Sequence, residues 1–202
     1  MVSYPKKERN EARNMSKFKL YLSASTQEKN ITADGRNEEY YMQKMAAQVA
    51  LDLRNDCEIK LNQPEWILRQ VINDTNAWKP DFHLALHTNA MPQPGSASGT
   101  ECWIHNDSIS GNRMADILIK KVTAVLGTRI RGGKEDPDTK ETGVDGGKLA
   151  ELDDTVAPAC LIEIVFHDNP KDLEKLKTRW NETRRAIAAS VREYIRLYGA
   201  KP

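Results

Sequence analysis

The sequence predicts an α/β fold: a single mostly parallel, mixed sheet of about five to six strands with helices on both faces. Three observations carry this. Short apolar runs alternate along the chain with longer segments whose apolar residues recur every three or four positions. The 202 residues suit one domain with a substantial buried core. No internal repeat and no low-complexity linker divides them.

Residues 1–16 are polar and highly charged, without an apolar period, and read as a flexible arm ahead of a domain spanning 17–202. The first strand is KFKLYLSAS, where Phe18, Leu20 and Leu22 alternate with Lys19, Tyr21 and Ser23. A polar loop leads to Asn37, a natural N-cap, and to a helix ending near Asp56 whose stripe is Met42, Met45, Val49 and Leu53. A short strand over Glu58–Leu61 follows. The next helix is expected from about Pro64, where proline suits the first turn, to about Trp78, with Pro80 as its stop. DFHLALHTNA and GTECWIHN read as two further strands. Met114, Ile117, Leu118, Val122 and Val125 mark a helix closed by Gly127. RGGKEDPDTKETGVDGG is a glycine-rich, charged loop of the kind that borders sites. ACLIEIVF is a strongly apolar strand, and Ile187, Val191, Tyr194 and Ile195 form the core side of a terminal helix.

Composition excludes several classes of function. With 39% hydrophobic residues and a net charge of +1, the chain is neither disordered nor an extended basic surface for nucleic acid. Cys57, Cys102 and Cys160 are sparse, odd in number and without CxxC spacing, so they read as buried thiols rather than a disulfide or zinc framework. No apolar run approaches the roughly 20 residues of a membrane helix, and no apolar segment follows the charged N-terminus as in a secretory signal. Action outside the cell would then rest on lysis or another release route.

Ligands of such sheets bind outside the carboxyl ends of the strands, and three polar residues fall there. Glu38 precedes Met42, Met45, Val49 and Leu53 on one helical stripe, so its carboxylate points inward, whereas Glu39 faces elsewhere. The plainer reading of Glu38 is an acid favoured by the positive helix end. His87 ends the strand DFHLALH, and the small residues of HTNA after it leave room for a ligand. His83 lies on the same strand face about 13 Å away, too far to share an ion, and reads as structural. Glu163 interrupts the apolar run CLIEIVF; a buried carboxylate there costs several kcal/mol unless it is paired or works beside a metal. A buried salt bridge is one outcome. A general base of raised pKa is the other. HExxH is absent.

LSASTQEKN after the first strand, NEEYYMQKMA, LALHTNA, GTECW and APACLIEIVFHDN occur in this order over about 17–197. Together they resemble the zinc-dependent N-acetylmuramoyl-L-alanine amidases of the type 3 group, found as bacterial cell-wall hydrolases and phage endolysins. The resemblance implies Zn2+ held by a histidine after the first strand, a glutamate at the first helix and a histidine at the LALH position, with a glutamate of the IEI strand as acid/base. Glu38, His87 and Glu163 match the last three. The first histidine is replaced: SASTQE has Thr26 or Gln27 at that place. His167 is the expected substitute, provided Asp168, Asn169 and Pro170 turn the chain so that it folds back over the carboxyl edge; Gln27 is its rival, and a turn histidine bonding the HDNP loop is the plain alternative. The implied partner is peptidoglycan and the implied reaction hydrolysis of the lactyl–alanine amide. A degenerate peptidoglycan-binding protein and a zinc peptidase of the stem peptide are the competing functions.

Overall fold

The computed structural model describes residues 17–105, 108–131 and 149–199. The N-terminal arm and almost all of the glycine-rich loop lie outside the described residues. Five strands, β1 (Lys19–Ala24), β2 (Glu58–Leu61), β3 (Phe82–Asn89), β4 (Glu101–Ile104) and β5 (Ala159–Phe166), form a single sheet. Its order is β2-β1-β3-β5-β4. All pairings are parallel except β4 with β5. The helices are α1 (Glu38–Leu53), α2 (Leu68–Trp78), α3 (Ile109–Leu126), α4 (Ala150–Asp153), α5 (Pro170–Thr178) and α6 (Trp180–Tyr198). The predicted fold class is the one found.

Parallel strands joined by helical crossovers end up covered on both faces, and this determines where the polar residues of β1 go. Leu20 and Leu22 enter the main core with Leu84, Leu86, Ile162 and Ile164, beneath Met42, Met45 and Val49 of α1, Met114 and Leu118 of α3, and Ile187 and Val191 of α6. Tyr21 and Ser23, on the alternate face, are also buried, because α2 and α4 cover that side. There the Tyr21 and His83 rings stack 5.4 Å apart, and Ala85, Leu152, Ala159 and Leu161 make a second apolar cluster.

Helix boundaries depart from expectation where backbone conformation overrides the apolar period. α2 starts at Leu68, not Pro64, because Glu65 adopts a φ of 65°, a left-handed turn that a helix cannot contain. Glu39, expected to face away, is buried and accepts the Glu65 N–H at 2.8 Å, holding that turn. α1 stops at Leu53. The terminal helical region is two helices: Asn169 caps α5 by accepting from Lys171 N and Asp172 N, with Pro170 at its first position. Gly127 closes α3 in the left-handed conformation, φ 62°.

Candidate functional site

The carboxyl ends of β1, β3 and β5 and the start of α1 converge on one cluster of acids and imidazoles. Asn37 caps α1 by accepting the Tyr40 N–H at 2.8 Å, which fixes the direction of the first turn and turns the side chain of Glu38 into the protein. Glu38 is fully buried. Its Oε1 accepts the Thr88 N–H at 3.1 Å and lies 3.1 Å from His87 Nδ1; its Oε2 accepts from Asn30 Nδ2 at 2.8 Å. Burial opposes its ionisation, but His87, Asn30 and Ser25 outweigh that and hold the carboxyl below its usual range.

The other nitrogen of His87, Nε2, lies 3.1 Å from Oε2 of Glu151. Burial favours the neutral ring, yet the flanking carboxylates Glu151 and Glu38 raise the His87 pKa well above its ordinary value. Glu151, on α4, is itself buried. Its Oε1 accepts from Ser23 Oγ at 2.6 Å and from His83 Nε2 at 3.1 Å, and Thr75 Oγ1 lies 3.2 Å from His83 Nδ1. Burial works against its charge, but His83 and His87 keep it ionised well below the usual carboxylate range. His83 and His87 are four residues apart on an extended strand, and one carboxylate joins both from the middle.

Glu163 sits beside His87 across the β3–β5 ladder and beside Glu101 across β4–β5. Burial, reinforced by Glu38, Glu101 and Glu151 against the opposing pull of His87, raises its pKa to about 8. Its Oε2 is buried without a hydrogen-bond partner among the described residues. That oxygen takes part in no salt bridge among the described residues. Glu101 is held on one side by Asn89 Nδ2 and on the other by Arg131 Nε at 3.3 Å.

The structure thus gathers Glu38, His87 and Glu163, and it does not gather His167 with them. The chain does turn after Phe166, but the His167 N–H donates to Asn89 O at 2.8 Å and its Nδ1 lies 3.0 Å from Thr88 O and 2.9 Å from Thr88 Oγ1. These contacts fasten the ring to Thr88, where the β3–β5 register shifts. Among the described residues no group of three His, Cys, Asp or Glu is arranged to hold a metal. Gln27 approaches the cluster indirectly: Asn30 Nδ2 donates both to Gln27 Oε1 and to Glu38 Oε2. Glu151 was missed in the sequence because a four-residue helix shows no periodicity and LAELDD carries no motif.

A doubly covered α/β sheet with acids and an imidazole crowded at the carboxyl ends of its central strands is the architecture of a domain that handles a ligand at that edge. The chain belongs to the N-acetylmuramoyl-L-alanine amidase family, Amidase_3, matching it over residues 20–196. The N-acetylmuramoyl-L-alanine amidase CwlM of Bacillus licheniformis is 31% identical over 112 residues, 55% of this chain and 38% of that protein. The chain therefore spans well under half of that relative. Its fold is shared with an N-acetylmuramoyl-L-alanine amidase from Clostridium difficile 630, at 18% identity and a TM-score of 0.75, covering 91% of this chain and 100% of that one. It is shared too with the catalytic domain of the amidase CwlV from Bacillus (Paenibacillus) polymyxa var. colistinus, at 19% identity and a TM-score of 0.74, covering 89% and 98%.

Proposed function

We propose that this chain hydrolyses peptidoglycan at the amide bond between the N-acetylmuramoyl lactyl group and the first L-alanine of the stem peptide. Family membership supplies the substrate class. The observation that carries the chemistry is Glu163, a carboxyl raised to about 8, with a buried oxygen that has no partner among the described residues, next to the Glu38–His87 pair.

The donors at this edge suit a divalent ion. A carboxylate only accepts, so the contact with Glu151 takes the Nε2 proton of His87. Nδ1 of the ring and Oε1 of Glu38 face each other at 3.1 Å, a contact that a proton on Nδ1 fills in the metal-free ring and that a cation displacing that proton would occupy. Tetrahedral zinc ligands at about 2.0–2.1 Å from the ion lie roughly 3.3 Å apart. Glu38 and His87 would hold the ion, with Gln27 of the first loop as the nearby amide donor where the family pattern places a histidine. When bound, zinc polarises the scissile carbonyl and makes water a stronger acid.

Glu163 then works as the proton carrier. It takes a proton from the water that attacks the lactyl carbonyl carbon and delivers it to the alanine nitrogen as the C–N bond breaks, leaving a free carboxyl and a free amine. Burial and the surrounding acids raise this carboxyl, which makes its ionised form a stronger base toward water, and the positive charge of a cation held beside it would favour that ionised form. Glu101, fixed by Asn89 and Arg131, keeps a negative charge beside it.

Digestion of purified walls tests the reading: new alanine amino termini are expected, and Glu163→Gln is expected to lower turnover on the order of 10²- to 10⁴-fold while zinc content is kept. Near-parental turnover by that variant would refute it. That no group of three His, Cys, Asp or Glu among the described residues is arranged to hold a metal favours one second reading, a wall-binding protein without turnover. Stoichiometric wall binding with no new amino termini would select it.

A further inference from the structure

Glu151 does not touch the reacting atoms in the chemistry proposed above, yet three hydrogen-bonding partners hold its carboxylate beside them. Burying a charge costs several kcal/mol unless partners replace water, and here the partners are specific. Oε1 receives the Ser23 hydroxyl at 2.6 Å and His83 Nε2 at 3.1 Å; Oε2 receives His87 Nε2 at 3.1 Å. His83 is in turn fixed by Thr75 at Nδ1 and by the stacked ring of Tyr21. Tyr21, Ser23, Thr75, His83, His87 and Glu151 are all buried residues, and the network ends on the histidine that also meets Glu38.

We propose that Glu151 is a positioning residue: by accepting from Nε2 it sets the tautomer and the ring plane of His87, so that Nδ1 is the nitrogen presented toward Glu38. Ser23 and His83 hold Glu151 in place for this task. A histidine that binds a metal through one nitrogen is oriented and made more basic by a carboxylate on the other, and the network supplies that carboxylate from a helix that contributes nothing else to the edge. The proposal rests on the reading that the Glu38–His87 edge takes a metal ion.

Glu151→Gln separates positioning from bulk. The amide keeps the size but has one accepting oxygen. Two donors, Ser23 and His83, compete for that oxygen on one side, so the NH₂ group is directed to His87 and demands that Nε2 accept. The ring must then carry its proton on Nδ1, facing Glu38. Zinc affinity, measured by chelator competition on the full chain, is expected to fall about 10- to 100-fold while circular dichroism stays that of the parent. Side-chain ¹⁵N NMR of the zinc-loaded parent is expected to show a proton on His87 Nε2 and none on Nδ1. Parental zinc affinity in a folded Glu151→Gln protein overturns the proposal, as does a parent whose His87 Nε2 carries no proton or is itself the coordinated nitrogen. If Glu151→Gln does not fold, the parent spectrum alone decides. If the parent takes up no zinc, the metal reading fails, and the place of the remaining proton in the metal-free ring, read once high pH has made it neutral, still decides the role of Glu151: Nε2 supports it and Nδ1 overturns it.

Discussion

Glu163 is protonated more readily in the folded chain than it would be in water, and this has a sign that can be measured. Its folded pKa of about 8 lies above the ordinary 4.5. The stability linked to that proton is complete below 4.5 and is lost as the pH rises to about 8. The metal-free protein should show a downward contribution to stability across that window, and Glu163→Gln should remove it; denaturant titrations of both proteins at pH 5 and pH 8 make the comparison. His167 gives a contrasting expectation. Its ring completes the end of β3 through Thr88, so His167→Ala should cost roughly 1–3 kcal/mol by leaving buried polar groups unpaired, with zinc affinity kept. Gln27→Ala should lower zinc affinity with little change in stability. Zinc lost on removing His167 and kept on removing Gln27 would reverse the assignment. Glu38 was legible in the sequence because the apolar stripe of its helix fixes its direction, and Glu163 because a charge in an apolar strand is conspicuous. Glu151 was not, since its meaning depends on a contact with β1 and β3 that no local pattern encodes.

Elements converge on the site through the loop between β1 and α1, and Asp34 is the pin of that loop. Tyr41 Oη of α1 donates to it at 2.6 Å, Thr32 Oγ1 at 2.7 Å and Lys177 Nζ of α5 at 2.9 Å. Partial burial opposes the charge, but these donors hold the carboxyl far below its ordinary value. Stability from this pairing is present above the unfolded value of 3.8 and is lost as the pH falls below it. Asp34→Asn should therefore destabilise the protein by roughly 1–3 kcal/mol at neutral pH, and the difference between the two proteins should shrink in acid. Thermal melts at pH 7 and pH 3 test this; an equal gap at both would dismiss the ionic part. Strands were easier to read than helix ends. β2 was expected at the residues it occupies, because four residues between a helix and a turn leave little freedom. The start of α2 was not, because the left-handed turn at Glu65 is held by Glu39 from another helix, and the split between α5 and α6 lies within one continuous polar, amphipathic stretch.

At the scale of the whole molecule, strand order matters more than strand count. Alternating helices and strands made a parallel sheet legible, but nothing in the sequence said that β5 would insert between β3 and β4. That insertion bears on how the chain reaches its folded state. β4 is made before its partner exists, since Ile104 pairs with Cys160, and β3 keeps one open edge until Ala159 joins His83. Pairings so distant along the chain close slowly, and an open, apolar strand edge invites another chain to pair with it. A chain truncated after Arg131 is thus expected to associate rather than remain monomeric, a result that sedimentation would show. The same order acts as a safeguard in time: because Glu163 arrives on the last strand to be synthesised, an unfinished chain carries Glu38 and His87 but no Glu163 beside them, and the cluster is completed only when nearly all of its surroundings are in place.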